Sequence, residues 1–144
     1  MTSTYNIDRG AEFRRLPLPP VSGPQHVLLV DDDSNFRMIV HITLKKLGYA
    51  VSVAGSAEDA AEIAAQNKDI QLLMTDVAMP GMNGVELAEK IWEIQPHVKV
   101  LYISGFPLNA VAGMGVATGS VHFLQKPFQP AQLDERIKVI LAGA

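Results

Sequence analysis

Apolar residues along this chain follow two alternating rhythms. Short, nearly continuous apolar runs occur at residues 26–30, 50–54, 71–75, 100–103 and 121–125. Runs of that length, rich in Val, Ile and Leu, read as strands buried on both faces. Between them, apolar positions recur at helical spacing. A first helix is predicted from Ser34, a good N-cap residue. Its expected apolar face is Phe36, Ile39, Val40, Thr43, Leu44 and Leu47, and Gly48 marks its end. The second expected helix is rich in alanine. It opens at Ser56-Ala57-Glu58-Asp59, a capping-box pattern with Asp59 in place of Glu or Gln, and ends near Asn67. A third is expected over residues 84–94, with Val85, Leu87, Ala88, Ile91 and Ile94 available for packing. The last starts at Pro130 and buries Leu133, Ile137, Ile140 and Leu141. Alternating strands and helices predict an α/β fold with a parallel sheet and crossover helices.

One stretch breaks this regularity. A fourth helix is expected between Pro107 and Ser120, but Gly113, Gly115 and Gly119 interrupt it. Each glycine weakens a helix interior by about 1 kcal/mol relative to alanine. From Val100 to Gln125 there is no Asp, Glu, Lys or Arg. Two readings fit: a short helix with a packed loop, or a mobile apolar surface for a partner.

Residues 1–24 have neither periodicity. Leu16-Pro17-Leu18-Pro19-Pro20 and Ser22-Gly23-Pro24 read as a flexible tail or interdomain linker, extended where proline-rich. Part of it is compatible with a vector-derived leader. The compact domain is expected over residues 25–144, with elements to about Leu141. Its size suits one domain with a real core.

Charge and composition exclude several classes. The net charge is −3, from 12 basic and 15 acidic residues, which argues against direct nucleic-acid binding. There are no cysteines, hence no disulfide framework or thiolate metal site. No signal peptide or membrane-inserting span is visible, so a cytoplasmic location is the expectation.

The chemistry lies at the expected strand ends. In an open parallel sheet the carboxyl ends of the strands line one edge, and ligands bind there at the topological switch point. Asp31-Asp32-Asp33, Asp76, Ser104 and Lys126 each follow one of the apolar runs. Neighbouring carboxylates repel unless a cation sits beside them. The acids read either as a Mg²⁺ site, since that ion takes oxygen ligands, or as a solvated turn capping the first helix, where Asp33 fits. Asp76 beside a bound cation suits nucleophilic attack on phosphorus. Met79-Pro80-Gly81-Met82-Asn83-Gly84 follows it as an open turn, its two glycines allowing unusual backbone angles. Ser104 offers a hydroxyl donor, Gly105 permits close backbone approach, and Lys126 supplies a point charge for a phosphate. Lys126-Pro127 is compatible with a cis peptide.

These residues together resemble the receiver domain of two-component response regulators. The resemblance covers about Gln25 to Leu141. It rests on Leu28-Leu29-Val30-Asp31-Asp32-Asp33, Asp76 with Met79-Pro80-Gly81-Met82-Asn83-Gly84, Ser104-Gly105, and Phe123 with Lys126-Pro127-Phe128. It implies a flavodoxin-like (CheY-like) three-layer sandwich, with strand order 2-1-3-4-5 and five helices. It implies that Asp76 accepts a phosphoryl group. Asp31, Asp32, Asp76 and the Ala78 carbonyl would hold Mg²⁺ or Mn²⁺. Ser104 would be the switch hydroxyl and Phe123 the aromatic that follows it. Ser104, Gly105 and Lys126 would contact the phosphoryl group.

The implied donor is a sensor histidine kinase or histidine phosphotransfer protein. The implied protein is a signalling phosphoprotein rather than an enzyme, with at most self-catalysed phosphotransfer and slow autodephosphorylation. Phosphorylation would reshape the face of the fourth helix, fifth strand and fifth helix, which is also a candidate homodimer contact. No output module is visible after residue 141, so the expected output is protein contact, phosphorelay or kinase control. The motifs look like those of a receiver at the C-terminus of a hybrid histidine kinase, or of a stand-alone receiver. Gly10 to Leu18 faintly resembles the end of a kinase ATP-binding domain.

Two departures stand out. Position 78 is Ala, where many relatives carry a polar side chain that can orient water, and position 106 is the bulky Phe106. Slow loss of the phosphoryl group is the resulting expectation. Two alternatives remain. One is a haloacid-dehalogenase-like phosphatase with Asp31 as nucleophile and Asp33 as general acid. The other is an interaction module that works without phosphorylation.

Overall fold

A computed structural model describes residues 23–116 and 121–143. Most of the expected tail and residues 117–120 of the charge-free stretch therefore lie outside the described residues. Five parallel strands form one sheet: β1 (His26–Val30), β2 (Ala50–Ala54), β3 (Ile70–Asp76), β4 (Lys99–Ser104) and β5 (Phe123–Gln125). Their order is β2-β1-β3-β4-β5, the order the resemblance implies. Pairing begins at the edge, where the Ala50 amide donates to the Gln25 carbonyl.

The helices are α1 (Ser34–Lys46), α2 (Ala57–Gln66), α3 (Gly84–Ile94), α4 (Leu108–Val111) and α5 (Pro130–Leu141). They cover both faces of the sheet, which is why the strands read as apolar runs rather than alternating ones. Successive side chains still point to opposite faces. Val27, Leu29, Leu72, Met74, Leu101, Ile103 and Leu124 pack with Val40 and Leu44 of α1 and Leu133, Ile137 and Ile140 of α5. Leu28, Val30, Leu73, Val100 and Tyr102 pack with α2, α3 and Val111 of α4. The result is a three-layer sandwich.

The helix boundaries refine the sequence expectations. Asp33, not Ser34, is the N-cap of α1, because its carboxylate accepts from the Asn35 and Phe36 amides at 3.0 and 3.2 Å. Ile39 is also not part of the buried face. It is exposed along with Met38 and Ile42, because α1 meets the sheet mainly through Val40 and Leu44. Ser56 caps α2 through the Asp59 amide as expected. Helix α3 carries a full capping box, with Asn83 at the end of the expected turn and Glu86 in the helix's first turn. Helix α4 is four residues long and passes into a 3₁₀ turn at Ala112–Met114, as short as the glycines suggest. Residues 117–120 of the expected fourth helix lie outside the described residues. Strand β5 starts at Phe123 rather than Val121.

The loop from β3 to α3 turns tightly over the end of β3. Gly81 adopts φ +78°, a conformation that side chains disfavour. Gly84 serves a different purpose from unusual angles. Its amide donates to the Val77 carbonyl at 2.8 Å, and a Cβ there would overlap the Asp76 carbonyl oxygen. The glycine therefore lets α3 start directly against the strand end that carries Asp76. Gly84→Ala is expected to lower the unfolding free energy by about 2 kcal/mol, through forced backbone displacement. Urea unfolding checks this, and an unchanged midpoint would remove the steric argument.

Candidate functional site

Strand register assembles the site. Val30 pairs with Thr75, so the next residues, Asp31 and Asp76, stand side by side at the ends of β1 and β3. The chain winds outward in opposite directions from these two strands, which makes this crevice the switch point of the sheet. Lys126 reaches it from beyond β5, across 50 and 95 positions of sequence. Its Nζ donates to Asp31 Oδ2 at 2.9 Å and to Asp76 Oδ2 at 3.1 Å. The Lys126-Pro127 peptide is cis. Asp31, Asp76 and Lys126 continue the strand parity that faces α1 and α5, which is why the three converge.

The two acids differ in environment. Asp31 is fully buried, and its Oδ1 accepts from the Asp33 amide at 2.9 Å. Asp76 lies at the rim, with Oδ1 accepting from the Ala78 amide at 3.2 Å. Asp32 is exposed, yet one carboxylate oxygen from each of Asp31, Asp32 and Asp76 lies within 4.8 Å of the others. Three carboxylates so close, all hard oxygen donors, fit a divalent cation such as Mg²⁺. Asp33 is absent from this group because its carboxylate caps α1.

Ser104, Gly105 and Phe123 occupy the neighbouring strand ends. Ser104 closes β4 and is buried, and its Oγ accepts from the Phe106 amide at 2.9 Å. Among the described residues its hydroxyl bonds neither Asp76 nor Lys126. Ser104 shares the parity of Tyr102, toward α2, α3 and α4, and Phe123 packs on that same side. Gly105 is exposed, with open space where a Cβ would stand. Ala78 and Phe106 are both exposed beside these residues.

Three side chains stand at the site to which the sequence assigns no role there. The Phe36 ring lies under the Lys126 ammonium, 4.1 Å from Nζ to centroid. Phe128 packs edge-on against Phe36, with centroids 5.8 Å apart at 88°. Arg37 donates to the Asp31 carbonyl at 2.6 Å, in space that Gly55 leaves free. The available signal was an aromatic in the first turn after the acids, and another two residues past the lysine.

Electrostatics reflect this crowding. Burial pushes the Asp76 carboxyl above its ordinary value, the Asp31 charge adds to this, and Lys126 opposes it. Burial also works against charge on Lys126, but the bonds to Asp31 and the charge of Asp76 outweigh it and raise the ammonium. That lysine contribution to stability persists through neutral pH and is lost only as pH rises through the raised value. Asp76 acts in the other direction. The native state binds its proton more tightly than the unfolded chain, so stability falls as pH rises from the ordinary carboxylate range through the raised value.

Comparison with known proteins agrees with this geometry. The response regulator receiver domain family model matches residues 27–138. The chain is 34% identical over 120 residues to the response regulator receiver protein CpdR of Brucella abortus, covering 83% of this chain and 99% of that one. It is 30% identical over 118 residues to the chemotaxis protein CheY of Thermotoga maritima, covering 81% and 97%. The crystal structure of the receiver domain from the hybrid histidine kinase CckA superposes with a TM-score of 0.68 and 33% identity, covering 81% of this chain and 98% of that one.

Asp76→Asn removes the buried-charge penalty. The variant is expected to be more stable than the wild type near neutral pH in metal-free buffer. The gain should shrink as pH falls to about 3.5, where the wild-type carboxyl is increasingly protonated. Urea titrations at both pH values check this; no gain at neutral pH would mean that the lost Lys126 contact outweighs the relief. With the acid pair, the lysine and the fold in place, and a family match spanning most of its length, this chain belongs to the response regulator receiver family of two-component signalling.

Proposed function

We propose that Asp76 is the phosphoacceptor of this receiver and that Asp31, Asp32, Asp76 and the Ala78 backbone carbonyl hold its divalent cation, Mg²⁺ or Mn²⁺. The observation that carries this reading is the Lys126 bridge to both Asp31 and Asp76 at the switch point, where the Asp76 side chain keeps 12% exposure and that of Asp31 none. An Asp76 oxygen attacks phosphorus of a phosphohistidine on a sensor kinase or phosphotransfer protein. The P–O bond forms as the P–N bond breaks, and the electron pair leaves on the imidazole nitrogen. The bound cation would offset charge on the phosphoryl oxygens. Lys126 then moves part of its bonding from Asp76 to a phosphoryl oxygen.

Ser104 is the switch hydroxyl in this reading. Its Oγ accepts from the Phe106 amide, which leaves its own proton to donate to the phosphoryl group. Its shared parity with Phe123 supports coupling to the face of α4, β5 and α5, which would engage a target or a second copy. Gly105 leaves room for the phosphoryl oxygens. We place the receiver unit from residue 25 onward, and a cytoplasmic setting follows from its donor. Among the described residues, no helix is long and apolar enough to cross a membrane.

The phosphatase alternative is disfavoured by geometry. The Asp31 side chain is fully buried whereas that of Asp76 keeps 12% exposure, and Asp33 is committed to capping α1. Neither is presented as nucleophile or acid.

Intact-mass measurement after incubation with Mg²⁺ and acetyl phosphate tests the reading. One phosphoryl group is expected on the wild type and none on Asp76→Asn. An adduct that survives in Asp76→Asn, or that disappears in Asp31→Asn alone, would overturn the assignment. A second expectation concerns lifetime. Ala78 offers no group to orient an attacking water, so Ala78→Asn should shorten the phosphoryl half-life, by about tenfold if it supplies one positioned contact. An equal half-life in the variant would count against that role.

A further inference from the structure

We propose that Phe36 is a positioning residue for Lys126, holding its ammonium over the ring face while the charges around it change. This rests on the reading of Asp76 as acceptor and Lys126 as its cation. Nζ makes three close contacts: Asp31 Oδ2, Asp76 Oδ2, and the Phe36 ring 4.1 Å away. A cation over an aromatic face is drawn to the negative side of the ring quadrupole, more strongly where water is excluded.

The ring is itself held from two directions. Its backbone amide is fixed by the Asp33 cap at the start of α1. It also forms a T-shaped pair with Phe128, two residues beyond Lys126. The contact thus joins the start of α1 to the segment that carries the lysine.

The three contacts respond differently to phosphorylation. Phosphorylation turns the Asp76 carboxylate into an acyl phosphate, so negative charge moves from Oδ2 out to the phosphoryl oxygens, and a cation among the acids competes for the charge of Asp31. Both changes alter the partners that Nζ now has, one carboxylate contact giving way to a phosphoryl oxygen. The quadrupole of Phe36 is altered by neither. Phe36 is therefore the contact that stays fixed while the ammonium exchanges a carboxylate partner for a phosphoryl one. Leucine would fill similar space without offering a negative face.

The test is a series at position 36: Phe36→Leu, Phe36→Tyr, and phenylalanine carrying one, two or three ring fluorines, which drain the quadrupole with little change of shape. Phosphorylation by acetyl phosphate is followed by intact mass. The Lys126 side-chain protons are followed by NMR in the free protein, and again with Mg²⁺ and beryllofluoride. The rate is expected to fall stepwise with fluorination, reaching about fivefold for trifluorination. Phe36→Tyr should recover most of what Phe36→Leu loses. The Lys126 protons should show an upfield ring-current shift that persists with beryllofluoride and vanishes in Phe36→Leu.

Rates that are flat across the fluorinated series, or a ring-current shift that collapses with beryllofluoride, would overturn the proposal. Failure of the acceptor reading looks different. In that case the wild type gains no phosphoryl group on Asp76, while the shift in the free protein still decides whether the ring holds the lysine.

Discussion

The Lys126 ammonium bridging Asp31 and Asp76 is the interaction on which this site depends. Two carboxylates at adjacent strand ends, one of them fully buried, repel each other and lose hydration. A buried charge is tolerated only when it is paired and hydrogen-bonded. Lys126 meets that need from the far side of the sheet, so the fold must close correctly from β1 to β5 before the acids are stabilised. The same arrangement leaves Asp76 less comfortable as an anion than an ordinary aspartate, because burial outweighs the help from Lys126. A group in that condition gains from any cation that enters, which ties the folded state to the chemistry.

Strand parity divides the site into two parts. Asp31, Asp76 and Lys126 share the side of α1 and α5, whereas Ser104 and Phe123 share the side of α2, α3 and α4. On the proposed reading, the phosphoryl chemistry and its readout would occupy opposite faces of one sheet and meet only at its edge. A Ser104 hydroxyl that moved to the edge would vacate space on the readout side. Coupling would then be a consequence of side-chain alternation rather than of distance.

Several features were legible because they are local. Strands β1 and β2 have the residues their apolar runs predict, and α3 spans the expected residues 84–94. The acids, Ser104 and Lys126 were legible as strand-end residues because buried parallel strands read as short apolar runs. Other expectations shifted for local reasons that compete closely. Asp33 and Ser34 are both good caps, and the carboxylate won because it reaches two amides at once. Ile39 has the right helical spacing for burial, but spacing gives a stripe and not which part of it meets the sheet.

By itself, the sequence determined the succession of elements, the residues at each strand end, and the chemical types brought to one edge. These follow from period, caps and turns, which act within a few residues. Only the tertiary structure decided which of those residues touch. The Lys126 bridge spans 50 and 95 positions, and Phe36 meets Lys126 only because α1 and the segment after β5 lie on the same face. The need for glycine at position 84 likewise comes from an approach of α3 to the Asp76 carbonyl. Contacts of this kind depend on register and layer packing, which are properties of the assembled sheet and not of any segment read alone.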